Sequence, residues 1–64
     1  MKAYAIRRSD GKWFKGGVFS WVHWFMSAQF WGDVKSAKAI IENNELIDCR
    51  IIELEIKEVG EVQP

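Results

Sequence analysis

The sequence predicts an α+β fold: a small antiparallel sheet of three to four strands with one helix packed on one face, in the order β-β-(β)-α-β. Three stretches carry that expectation. Two runs of alternating apolar and polar residues flank Ser9-Asp10-Gly11 in "YAIRRSDGKWFKGG", which is the pattern of a hairpin. "GDVKSAKAIIENNEL" places apolar residues at helical spacing behind an aspartate, and "DCRIIELEIKEV" alternates Ile52, Leu54 and Ile56 with Glu53, Glu55 and Lys57, as a half-buried strand does.

In the hairpin, loop length decides which side chains share a face. A two-residue Asp10-Gly11 loop sets Arg8 opposite Trp13 and Ile6 opposite Lys15, so both faces come out mixed. A three-residue loop, closed by Gly11 in the left-handed region, sets Arg8 opposite Lys12, Ile6 opposite Phe14 and Tyr4 opposite Gly16. One face then carries Tyr4, Ile6, Phe14 and Val18; the other carries Ala5, Arg7, Trp13 and Lys15. A one-residue slip exchanges whole faces, and only the second register gives a clean apolar face. Gly16-Gly17 is expected to bend the second strand.

Next comes "VFSWVHWFMSAQFW", Val18 to Trp31, which holds three of the four tryptophans of the chain and no charge. Periodicity alone does not separate strand from helix here. Its β-branched and aromatic content favours strand, so the second strand is expected to run on towards Trp24. A turn near Met26-Ser27 and a short third strand over 28–31 would follow.

The helix begins at Asp33, whose carboxylate can accept from the first-turn N–H groups. Val34, Ala37, Ile40 and Ile41 form its buried stripe, while Lys35, Lys38 and Glu42 face water. Asn43-Asn44 ends it, since asparagine tolerates the left-handed position after a helix. The expected core is Tyr4, Ile6, Phe14, Phe30, Val34, Ala37, Ile40, Ile41, Ile52, Leu54 and Ile56. Residues 1–59 read as a single domain and 60–64 as a flexible tail.

Composition narrows the function classes. The chain has 64 residues and a single cysteine, Cys49, so it has no internal disulfide. A domain of this size buries only about 60% of its unfolded surface, which leaves a small core. Cys49 reads as a small apolar residue at a strand start. No Cys/His set has zinc-ligand spacing, so no metal or cofactor is expected. Nine basic residues balance nine acids, without the basic excess that phosphate binding usually requires. The charges are nonetheless segregated. Lys2, Arg7, Arg8, Lys12 and Lys15 face only Asp10 near the start; Glu53, Glu55, Glu58 and Glu61 face only Lys57 near the end. Such a dipolar surface can steer a partner without net charge. The start "MKAY" has no signal-peptide h-region, and the aromatic run of about 14 residues falls short of the ~20 a membrane-spanning helix needs. A cytoplasmic protein with no membrane contact is expected.

Little in the chain can carry catalysis. His23, the one histidine, sits between Val22 and Trp24 without a nucleophile or an orienting carboxylate beside it in sequence. Ser9, Ser20, Ser27 and Ser36 occur in no nucleophile motif, and "SDGK" and "KGG" lack the context of a phosphate loop. Glu53 and Glu55 share a strand face that reads as solvated. No enzyme activity and no small-molecule substrate are expected.

The aromatics remain to be explained. One helix covers one sheet face, and the core has room for one or two indoles. Trp21, Trp24 and Trp31 exceed that, so at least one of them is expected on the surface. Trp13 is expected on the wet face beside Arg7 and Lys15. Exposed tryptophan and arginine mark contact sites. The expected partner-binding set is Arg7, Trp13, Lys15, Trp21, His23, Trp24 and Trp31, offered to another protein or to a second copy. Base stacking by a single-stranded nucleic acid is one alternative; a small structural protein whose aromatic run is a homodimer seam is another, and a run that only builds a compact core leaves no contact surface at all.

The opening "YAIRRSDGKWF", the middle "AQFWGDVKSAKAII" and the closing "CRIIELEI" together resemble the very small proteins encoded by phages and prophages of Gram-positive bacteria. The resemblance spans about residues 3–58 at the level of fold. It implies an accessory factor that binds a host protein and inhibits or redirects it, as anti-defence and anti-CRISPR factors do. It implies no catalytic residues.

Overall fold

The computed structural model describes residues 1–16 and 20–62. Five regular elements follow one another: β1 (Lys2–Arg8), β2 (Trp13–Phe14), β3 (Trp21–Val22), α1 (Val34–Asn43) and β4 (Cys49–Glu55), with a 3₁₀ turn over Phe25–Ser27. The strands form one antiparallel sheet in the order β3-β2-β1-β4.

The hairpin has the three-residue loop. Arg7 stands opposite Trp13, the Arg8 N–H donates to Lys12 O at 2.8 Å, and the Gly11 N–H donates to Arg8 O at 2.9 Å. Gly11 has φ +93°, a conformation only glycine adopts without a steric cost. Asp10 braces the loop: it accepts from the Lys12 N–H at 3.1 Å and from Arg8 Nη2 at 2.7 Å. These bonds, that to Arg8 first, hold its carboxyl well below the usual range, at about 2.

Strand two does not run on. β2 ends at Phe14, and Gly16, with φ +83°, turns the chain away. Lys15 and Gly16 both donate to Ser20 O, so the chain folds back and β3 pairs with β2 through Trp13–Val22 and Phe14–Trp21. The expected bend at Gly17 and the inward Val18 lie outside the described residues. The place beside Tyr4 that register alone gives to Gly16 is taken by Trp31. Tyr4 and Trp31 exchange two backbone bonds of 2.8 Å each, and Gln29 N donates to Phe14 O at 3.0 Å. The expected strand over 28–31 is thus a single bridge. The turn expected near Met26-Ser27 is the 3₁₀ turn.

Asp33 caps α1, accepting from the Ser36 N–H at 2.6 Å, and this bond lowers its pKa. At the other end Asn44 keeps a negative φ, and its Nδ2 donates to Ile40 O at 2.9 Å. The left-handed residue is Glu45, at φ +51°. Glu45 N donates to Glu42 O and Leu46 N to Ile41 O, which makes a Schellman closure. The stop falls one residue later than asparagine's own preference implies, because Leu46 must turn back onto the core.

α1 lies on the face that carries Ile6 and Phe14. Ile6, Phe14 and Ala37 are buried there, with Trp21, Trp31, Ile40, Ile41, Leu46, Cys49 and Ile51 packed around them. β4 corrects the expected core. Ile6 pairs with Ile51 and Ala5 with Ile52, so Cys49 and Ile51 face the helix. Ile52, Leu54 and Ile56 lie on the opposite face, with Ala3, Ala5 and Trp13. Val34 and Phe30, both expected inside, are each 39% exposed. Tyr4 is half-buried, and its hydroxyl donates to Glu53 at 3.1 Å.

Candidate functional site

The second sheet face is built from small residues at its centre. Ala3 and Ala5 are buried although the helix lies on the other side. Their short side chains leave space over β1, and aromatics from the charge-free run approach it. Alternation explains which ones: Trp31 bridges to Tyr4 and stacks on Phe14 at 6.3 Å on the helix face, so Phe30 points to the other. Phe30 meets Phe25 edge-on at 5.5 Å, and Phe25 meets Trp13 edge-on at 5.1 Å. The face expected to stay open is therefore partly roofed.

This roof corrects the placement of Trp13. It is 9% exposed, held between Phe25 and Arg7, whose guanidinium lies 5.1 Å from its ring centre. It is a core residue, so the expected Arg7–Trp13–Lys15 contact face does not form. Trp21 is half-buried against Phe14 at 5.5 Å, and the Arg8 guanidinium lies 4.7 Å from its ring. Trp31 is also half-buried. Lys15 and His23 are exposed.

Trp24 is different. It is 70% exposed, and Met26 is 74% exposed. They flank Phe25, the residue anchored on Trp13. The 3₁₀ turn is closed by Ser27 N donating to Trp24 O and Ala28 N to Phe25 O, each at 3.0 Å. Phe25, itself 39% exposed, rests its ring on Trp13 as an anchor, while its two neighbours are presented outward on a closed turn. Of the expected set, Trp24 and His23 lie together at this turn; Trp13, Trp21 and Arg7 belong to the packed interior or its margin.

Beside the turn runs a groove of about 420 Å³ lined by Phe25, Met26, Phe30, Leu54, Glu55, Ile56 and Lys57. Sequence reasoning missed it. The charge-free run marked Phe25, Met26 and Phe30, but no local pattern says that β4 turns Leu54 and Ile56 towards them. A second concavity, about 180 Å³, is lined by Arg7, Ser9, Asp48, Cys49 and Arg50. Burial, the larger effect, and Asp48 raise the pKa of Cys49, which keeps it a thiol at neutral pH. Among the described residues, no group of three His, Cys, Asp or Glu side chains is placed to hold a metal ion, and no helix is long and apolar enough to cross a membrane.

Comparison with protein-family models, curated proteins and solved structures finds no match to this chain.

Proposed function

We propose that this chain is a small non-enzymatic protein-binding module, of the kind phages encode to bind and inhibit or redirect a host protein, and that it acts by occupying a partner's surface. One observation carries the reading: Trp24 and Met26 project from a turn that is anchored from below. Leaving two large apolar side chains in water forgoes the stabilisation that their burial would give a chain with a small core. Such side chains on a braced turn suit a contact, because the backbone that carries them has little conformational freedom left to lose on binding. Base stacking is less well supported, since Arg7 and Arg8 already lie over tryptophans of this chain rather than beside the exposed one.

Affinity capture from host lysate, run in parallel with the intact protein and with a Trp24→Ala/Met26→Ala variant, tests the reading. A protein retained by the first and lost by the second is expected, and its retention should respond weakly to salt. Capture that is unchanged in the variant refutes the reading. Retained nucleic acid, released steeply by salt, favours base stacking instead.

A further inference from the structure

β4 is an edge strand, and its hydrogen-bonding phase can be read from its two ends. Ser9 N donates to Asp48 O at 2.9 Å, and Ile56 N donates to Met1 O at 2.7 Å. Between them the register runs without a bulge from Arg8–Cys49 to Lys2–Glu55. Hydrogen-bonded and non-bonded pairs alternate in an antiparallel ladder. The even-numbered residues of β4 therefore bond to β1. The N–H and C=O groups of Cys49, Ile51, Glu53 and Glu55 point outward, where β4 has no neighbouring strand among the described residues.

The two faces at this edge differ in chemistry. On the helix face, Glu53 and Glu55 are exposed, and their contacts are with groups at the exposed surface: Lys2 and Tyr4 for Glu53, the N-terminus for Glu55. On the other face, Leu54 and Ile56 form one wall of the groove whose far wall is Phe25, Met26 and Phe30. The strand leads on to Glu58 and Glu61, with Lys57 the one base in that stretch. Self-pairing fits poorly. A two-fold axis through β4 sets Glu53 and Glu55 against Cys49 or Ile51, or, in registers shifted towards Glu55, against the same glutamates, so in none of them does either carboxylate meet a base, and the shifted registers also oppose like charges.

We propose that the outer edge of β4 accepts an extended segment of a partner protein as a fifth, antiparallel strand, with basic side chains over Glu53 and Glu55 alternating with apolar side chains that pack against the outer flank of Leu54 and Ile56. This rests on the protein-binding reading and names its partner's chemistry. Main-chain bonds supply affinity in such strand addition, and pockets for alternate side chains supply specificity.

The test uses an acetylated, amidated peptide of alternating lysine and valine and the ¹⁵N-labelled protein. Residues that oppose Glu53 and Glu55 on the helix face also direct their N–H groups at β4. N-methylation of the lysine amides should therefore weaken binding about tenfold or more, whereas methylation of the valine amides should leave it nearly intact. Glu53→Pro should keep the fold, because the lost N–H points away from β1, and should abolish binding; Glu53→Gln should only weaken it. Equal effects of the two methylation patterns, or shifts confined to residues 24–30, overturn strand addition while leaving the exposed-turn reading intact. Absence of binding overturns it as well. A dimer dissociated by Glu53→Pro would then identify the occupant as a second copy. Loss of the lysate capture difference between the intact protein and the Trp24→Ala/Met26→Ala variant would remove both readings together.

Discussion

At the scale of single residues, backbone sign and carboxylate pairing decide most. Gly11 closes the hairpin loop at φ +93°, and a Cβ there would stand 3.7 Å from Arg7 Nη2. Space is not the obstacle; the left-handed backbone is. Gly11→Ala should cost about 1 kcal/mol or more in a denaturant titration, and an unchanged midpoint would contradict the loop geometry. The loop also titrates. The Asp10 carboxyl lies at about 2 in the folded chain against an ordinary 3.8. A depressed folded value gives stability that is fully present above pH 3.8 and is lost as pH falls through about 2. Asp33 acts in the same direction through its bond to Ser36. Acid titration followed by the Gly11 and Ser36 amide resonances should show both sites loosening below pH 4, a window set by ordinary carboxylate values of about 4. In Asp10→Asn the hairpin part of that change should disappear.

At the scale of elements, two segments depart from what their own residues prefer. Glu45 adopts φ +51° so that Leu46 can reach back to Ile41 O at 3.0 Å. Glu45→Gly should stabilise the chain by about 0.5–1 kcal/mol, seen as a raised thermal midpoint, because the left-handed strain exceeds glycine's entropic cost. The second segment is the turn at residues 24–28. Phe25 holds it down on Trp13. Phe25→Ala should cost about 2 kcal/mol, less than a fully buried phenylalanine because the ring is partly exposed. It should also open Trp13 to an aqueous quencher. The hairpin register was legible because turn chemistry and face polarity agree on it. The Asp33 cap was legible for the same reason: donor and acceptor are three residues apart. The face of β4 was not. Ile51 and Ile52 are adjacent and both aliphatic, so either set of alternate residues can pack against the helix, and no tight turn joins β4 to β1 to fix the choice.

At the scale of the whole molecule, the chain is longer than a sphere of its size. Its radius of gyration is 13.1 Å, against about 10.7 Å for a compact chain of this length. Residues 57–62 extend beyond β4 and are exposed. Two thin apolar layers share the sheet: Ile6, Phe14 and Ala37 beneath the helix, and Ala3, Ala5 and Trp13 beneath the aromatic turn. Trp24 contributes to neither. Trp24→Ala should therefore change folding stability by less than about 0.5 kcal/mol. The same change should weaken partner binding by about 2 kcal/mol or more if Trp24 is a contact hot spot. Chemical denaturation and binding measured on the same variant separate these effects; equal losses in both would make Trp24 a folding residue.

The sequence by itself determined the order of elements, the hairpin register, the helix and its cap, and the presence of at least one surface tryptophan. Each depends on residues close together in the chain, where turn geometry, capping bonds or a simple count of apolar side chains against available core settles the outcome. Only the tertiary structure decided which tryptophan stays outside, that Trp13 lies inside, and that Leu54 and Ile56 face the aromatic turn. Those outcomes depend on how β4 registers against β1 across the helix, and on Ala3 and Ala5 leaving room for Phe25 to seat on Trp13. Both are matters of packing between segments far apart in sequence, and local periodicity carries no information about either.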